Sequence, residues 1–98
     1  MTVLMTLRVA GDAKSIEAMD PAALEKISAR AREMGALAHH FYGNGSEILV
    51  VDVWRDAESF QAFFDGSPEI PGIMADAGVT TEPTIEFWQP LDVTDGFG

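Results

Sequence analysis

His39 and Asp52 are the two side chains in this sequence best suited to moving a proton. They stand on two runs, Ala36 to Tyr42 and Glu47 to Trp54, that flank Gly43-Asn44-Gly45-Ser46. Folded back on that turn, the runs make them diagonal neighbours within reach of long side chains. The carboxylate would then hold the imidazole in one tautomer and leave its other nitrogen to abstract a proton from a bound molecule. Arg8 would stabilise the anion so formed, or pair with Asp52 or Glu86 as an interface ion pair. Thr6, Phe41, Trp54, Glu86 and Trp88 complete a proposed pocket lining, provided that the mixed strand faces turn away from the helices. The two tryptophans serve either as flat walls for an aromatic ring or as packing between subunits. No metal site is expected. His39 and His40 are consecutive strand residues and point to opposite faces, His40 to the helix side, and no third ligand stands at a suitable spacing.

The chain has 98 residues, room for one domain and one core. Sixteen Asp and Glu against six Lys and Arg give a net charge of −10, while 47% of residues are apolar, as in a folded domain. Residues 47–98 hold eleven of the acids with Arg55 as their lone base, which reads as a solvated surface because the acids never form a block. Such a chain is a poor partner for nucleic acid or an anionic membrane, since both are bound through Lys and Arg. Without cysteine there is no disulfide, thiolate metal site or thiol nucleophile. The longest aliphatic run, Ile48 to Val51, is too short to span a bilayer, and the N-terminus lacks a signal-peptide layout, so a cytoplasmic location is expected. Nucleotide-loop, HExxH and GxSxG motifs are absent from the sequence.

The elements that must position these groups follow from periodicity. Thr2 to Val9 alternates with period two and predicts a strand. Asp20-Pro21 starts a helix that carries Leu24, Ile27, Ala31 and Met34 and stops at Gly35. The linking segment, Gly11 to Met19, is a connection with room for a helical turn at Ser15 to Ala18. Asn44-Gly45 predicts a type I′ hairpin turn pairing Phe41 with Ile48, His39 with Val50 and Leu37 with Asp52. Asp56 caps a helix bearing Phe60, Phe63 and Phe64. It breaks at Asp65-Gly66, restarts at Ser67-Pro68 and ends at Gly78. Thr84 to Leu91 reads as the last strand, and residues 92–98 as a loose tail. The order β-α-β-β-α-β predicts an α+β, ferredoxin-like domain over 1–98: a four-stranded antiparallel sheet with the first strand beside the third. Ala36, Ala38, Leu49, Val51 and Val53 are expected to pack on the helices, and Phe41, Ile48, Trp54 and their neighbours to face outward. Since both faces seek cover, two sheets should pack together in a homodimer.

The stretch Val51-Asp52-Val53-Trp54-Arg55-Asp56-Ala57-Glu58-Ser59-Phe60-Gln61-Ala62-Phe63-Phe64 resembles the dimeric α/β-barrel superfamily. Within it, the chain is most similar, over residues 3–91, to antibiotic-biosynthesis monooxygenase-type domains, in which the third strand ends in a Trp, a cap follows and a Phe stands six residues on. The resemblance implies a dimeric barrel with a pocket for a small, often aromatic ligand. It also implies chemistry without metal, flavin or other cofactor, in which a phenolic substrate gives up a proton and its own carbanion reacts with oxygen. Haem degradation does not fit, because no His follows residue 40. The expected function is thus a cofactor-independent monooxygenase acting on a small aromatic or polyketide-like molecule, with His39, Asp52 and Arg8 as its catalytic groups. The alternatives are a binding module without turnover, or an isomerase or cyclase that uses the same pocket.

Overall fold

The computed structural model describes residues 2–79 and 81–98. Strand β1 (Val3–Ala10) buries Val3, Met5, Leu7 and Val9, as its period of two requires. Asp12 caps a short helix α1 (Ala13–Glu17), and Asp20 caps α2 (Pro21–Met34), its carboxylate accepting from the Ala22 N–H at 3.1 Å. Helix α2 ends at Gly35, whose φ of 120° is open to glycine without strain. Strands β2 (Ala36–Gly43) and β3 (Glu47–Trp54) form the hairpin. Asp56 caps α3 (Ala57–Asp65) by accepting from the Ser59 N–H at 2.7 Å, and hydrogen bonds from Ser59 hold its carboxyl below the usual range. After Gly66-Ser67-Pro68 the chain continues in α4 (Glu69–Asp76) and returns in β4 (Thr84–Trp88).

The sheet is antiparallel with order β2-β3-β1-β4, which puts the first strand beside the third, as the α+β ferredoxin-like pattern demands. The last strand stops at Trp88 rather than Leu91. Pro90 has no N–H with which to extend a ladder. The tail beyond it is exposed, Phe97 almost completely.

Two expectations about the hairpin are corrected. Its central residues are Gly45 and Ser46, not Asn44 and Gly45. The Asn44 N–H donates to the Glu47 carbonyl, and the Asn44 side chain accepts from the N–H groups of Ser46 and Glu47. Only Gly45 has a positive φ, whereas a type I′ turn needs two. The register therefore moves by two residues, so that Phe41 faces Val50 and His39 lies directly opposite Asp52. A bulge between Ala36 and Ala38 leaves Leu37 outside the ladder and exposed.

The second correction concerns the faces. Residues directly opposite in an antiparallel pair share a face, and Met5 and Leu7 of the core stand opposite Asp52 and Val50. His39, Phe41, Ile48, Val50, Asp52 and Trp54 consequently face the helices. Ala38, His40, Leu49, Val51 and Val53 lie on the other side of the sheet with Leu4, Thr6, Arg8, Glu86 and Trp88. Ala36 alone of the five residues expected on the helix side is there, because the bulge restores its parity with Trp54. The open face still carries an apolar band, in which Ala38, Val53, Leu4 and Trp88 form one row across all four strands.

Arg30 ties α2 to α4. Its guanidinium donates to both Glu69 oxygens at 2.7 Å and to the Ser67 hydroxyl at 3.1 Å, while Ser67 donates to the Phe63 carbonyl. Hydrogen bonding from Arg30 lowers the Glu69 pKa to about 2. The folded-state value lies below the ordinary one, so the tie stabilises the fold above the usual carboxylate range and is lost as pH falls toward about 2. Thermal melts of Glu69→Gln and the parent should accordingly differ most above pH 5 and converge near pH 2. A gap that stays constant with pH would contradict the assignment.

Candidate functional site

Between the helices and the sheet lies a cavity of about 540 Å³. Met5, Leu7, Phe41 and Val50 supply its sheet wall, Leu24 and Ile27 come from α2, and Phe60, Ile70 and Met74 from α3 and α4. The helical residues belong to the apolar stripes of α2, α3 and α4. They border free space because α4 spans only eight residues and contributes no buried side chain of its own. Pro71 and Gly72 sit inside it, and Gly is a poor helix former.

Two ionisable side chains of the sheet open onto this apolar chamber, and they are neighbours. His39 Nδ1 stands 2.6 Å from Asp52 Oδ1. An ionised carboxylate can only accept, so Nδ1 donates to it, and in the neutral ring Nε2 is then the nitrogen that carries the lone pair. Asp52 is 8% exposed at its side chain and His39 38%, so the carboxylate is the buried partner and the imidazole the accessible one. The second oxygen of Asp52 accepts from the Trp54 indole N–H at 3.0 Å, which meets the requirement that a buried carboxylate be hydrogen-bonded. The His39 ring also meets Phe41 edge to face, with centroids 4.9 Å apart. Such a dyad can accept a proton at Nε2, and Asp52 would stabilise the imidazolium.

Of the remaining residues of the expected lining, only Phe41 joins them on the chamber wall. Arg8 lies on the opposite face of the sheet, exposed and 3.6 Å from Glu47, so it neither pairs with Asp52 nor reaches the chamber. Thr6 accepts from the Trp88 indole N–H at 3.3 Å on that same face, and Glu86 stands opposite Thr6. Trp54 is fully buried among Phe60 and Phe63 behind the dyad, and Phe41 does line the chamber. His40 shares the open face with Tyr42, so the histidines do point apart, though in the reverse sense. Among the described residues, no three His, Asp or Glu side chains gather as a metal set. Glu25, Ser28 and Arg32 of α2 also border the chamber and were missed. Their spacing of three and four, on the stripe beside Leu24, Ile27 and Ala31, was the available signal.

No helix of the described residues is long and apolar enough to cross a membrane. A search of family models found no match, and neither did a search of curated proteins. Solved structures do match. The chain is similar to a monooxygenase from the Streptomyces coelicolor gene ActVA-Orf6, determined in complex with nanaomycin D, at 15% identity and a TM-score of 0.69. That match covers 97% of this chain and 92% of the other. It is similar to Rv0793 of Mycobacterium tuberculosis at 20% identity and a TM-score of 0.63, covering 97% and 100%. The third is SnoaB, a cofactor-independent oxygenase from Streptomyces nogalater, at 14% identity and a TM-score of 0.56, covering 97% and 98%. The fold is that of antibiotic biosynthesis monooxygenase-type proteins. At these identities the likeness establishes the architecture, and the chemistry must be argued from this chain's own residues.

Proposed function

We propose that this protein is a cofactor-independent monooxygenase acting on a small aromatic or polyketide-like substrate. The observation that carries the reading is the His39–Asp52 pair on the wall of a largely apolar chamber. The ring of the substrate packs against Phe41, Leu24, Ile27 and Phe60, and His39 Nε2 takes the acidic proton. For an anthrone, the resulting carbanion passes an electron to dioxygen and forms a carbon–oxygen bond. The imidazolium returns its proton to the peroxide. Loss of water then breaks the O–O bond and leaves a carbonyl, with one oxygen atom in the quinone and one in water. Metal-free protein incubated with a panel of anthrones and hydroquinones should consume one dioxygen per quinone formed. Tight binding without oxygen uptake would replace this reading with that of a binding module. Rearranged product formed without oxygen would point to an isomerase or cyclase.

A second copy of the chain covers the open sheet face in this proposal. Leu4, Leu49, Val51 and Val53 are only half-buried in one subunit and lie in adjoining rows of a single surface. Exposed apolar sheet area of this kind is a contact surface. Sedimentation should show a dimer at micromolar concentration, and Val51→Glu, which sets a charge in the middle row, should yield a monomer. A parent protein that sediments as a monomer would end the dimer proposal while leaving the chamber intact.

A further inference from the structure

We propose that Trp54 is the positioning residue of the dyad: its indole N–H fixes the Asp52 carboxylate, and so fixes which nitrogen of His39 is bare. The inference deepens the reading of His39 as a base, and depends on that reading only for its kinetic consequence.

The torsion that orients an aspartate carboxylate is broad, so nothing in Asp52 itself keeps Oδ1 on the imidazole. A second donor must hold the other oxygen. Met5 and Phe87, which continue the row of His39 and Asp52 across the sheet, offer none. Trp54 does, from the same face of β3 two residues on, with Nε1 3.0 Å from Oδ2. Indole nitrogen is a donor only, so the direction of this bond is fixed. The indole is itself immobilised. It is fully buried, with Phe60 meeting it edge-on at 5.6 Å and Phe63 tilted against it at 5.4 Å, both from α3. The chain of constraint thus runs from α3 through Trp54 and Asp52 to His39, whose Nδ1–H is engaged and whose Nε2 is free for the substrate.

Trp54→Phe removes the N–H and keeps an aromatic ring between Phe60 and Phe63. The readout is the tautomer of His39 in whole, histidine-15N-labelled protein, from long-range proton–nitrogen correlations at a pH where the ring is neutral. There are only two histidines, and His40→Gln assigns them. The parent should show a protonated Nδ1 and a bare Nε2. The variant should show averaged nitrogen shifts, the mark of mixed tautomers. With an anthrone that the parent oxidises, kcat should fall by roughly tenfold while KM stays within about twofold, as expected for a lost hydrogen bond to a charged group. An unchanged tautomer in the folded variant would overturn the proposal and leave Trp54 as packing. If Trp54→Phe does not fold, benzothienylalanine at position 54 in a Trp88→Phe background replaces only the N–H by sulfur, with the same two outcomes. A tautomer shift in a protein whose parent consumes no oxygen would sink the oxygenase reading but leave the positioning role standing.

Discussion

His39→Ala is expected to lower anthrone-dependent oxygen uptake by about two to four orders of magnitude, the usual contribution of a positioned general base. Binding of the same anthrone should weaken far less, because the chamber that holds the ring is built from Leu24, Ile27, Phe41 and Phe60. The split matters. Loss of kcat with near-constant affinity marks a group that acts in the transition state, whereas parallel loss of both marks a wall. The substitution also leaves Asp52 Oδ1 without its partner in a buried site, which costs about 1–3 kcal/mol. Asp52→Asn is the companion variant: it keeps the volume but removes the charge that supports an imidazolium, so it should lose activity at full occupancy of substrate. Oxygen uptake by His39→Ala equal to the parent's would remove His39 from the chemistry.

Trp54→Ala should be the most damaging single substitution for stability. The indole is completely buried, touches Phe60 and Phe63, and caps the buried Asp52 carboxylate. Truncating a buried Trp costs about 3–5 kcal/mol, and the stranded Oδ2 adds to that. Against a total stability of about 5–15 kcal/mol, the variant should lose a large share of its stability and unfold at a much lower urea concentration than the parent. Urea unfolding followed by circular dichroism measures this directly. Phe97→Ala is the control, since that ring is almost fully exposed and its loss should stay within about 0.5 kcal/mol. A Trp54→Ala midpoint close to the parent's would mean that the aromatic cluster under β3 is not the core.

Much of the architecture was legible because local signals agree with it. Asp20-Pro21, Gly35 and Asp56 mark helix ends by capping chemistry alone, and Glu47–Trp54 is a strand by its residue types. The facing of the hairpin was not legible. Both of its sides are apolar, so alternation gives parity but cannot say which side meets the helices. Only the ladder with β1 decides it, by setting Asp52 opposite Met5. Arg8, Thr6, Glu86 and Trp88 were grouped with the dyad because every mixed strand face was expected to turn away from the helices; theirs does, whereas the hairpin face that carries His39, Asp52 and Trp54 turns toward them. A buried carboxylate facing helices also inverts the usual rule of polar-out. Asp52 is tolerated there because His39, from across the hairpin, and Trp54, two residues on in the same strand, satisfy both of its oxygens. The closeness of His39 and Asp52 survived a register error because a shift of two residues keeps every side chain on its face.

The chamber between the helices and the sheet, with His39 as its reactive group, is tested most directly by locating a bound ligand. A crystal structure of the protein soaked with an anthrone under nitrogen should show the ring among Leu24, Ile27 and Phe60, with its acidic carbon or hydroxyl facing His39 Nε2. Density for the ring on the other side of the sheet, beside Arg8 and Trp88, would contradict the account.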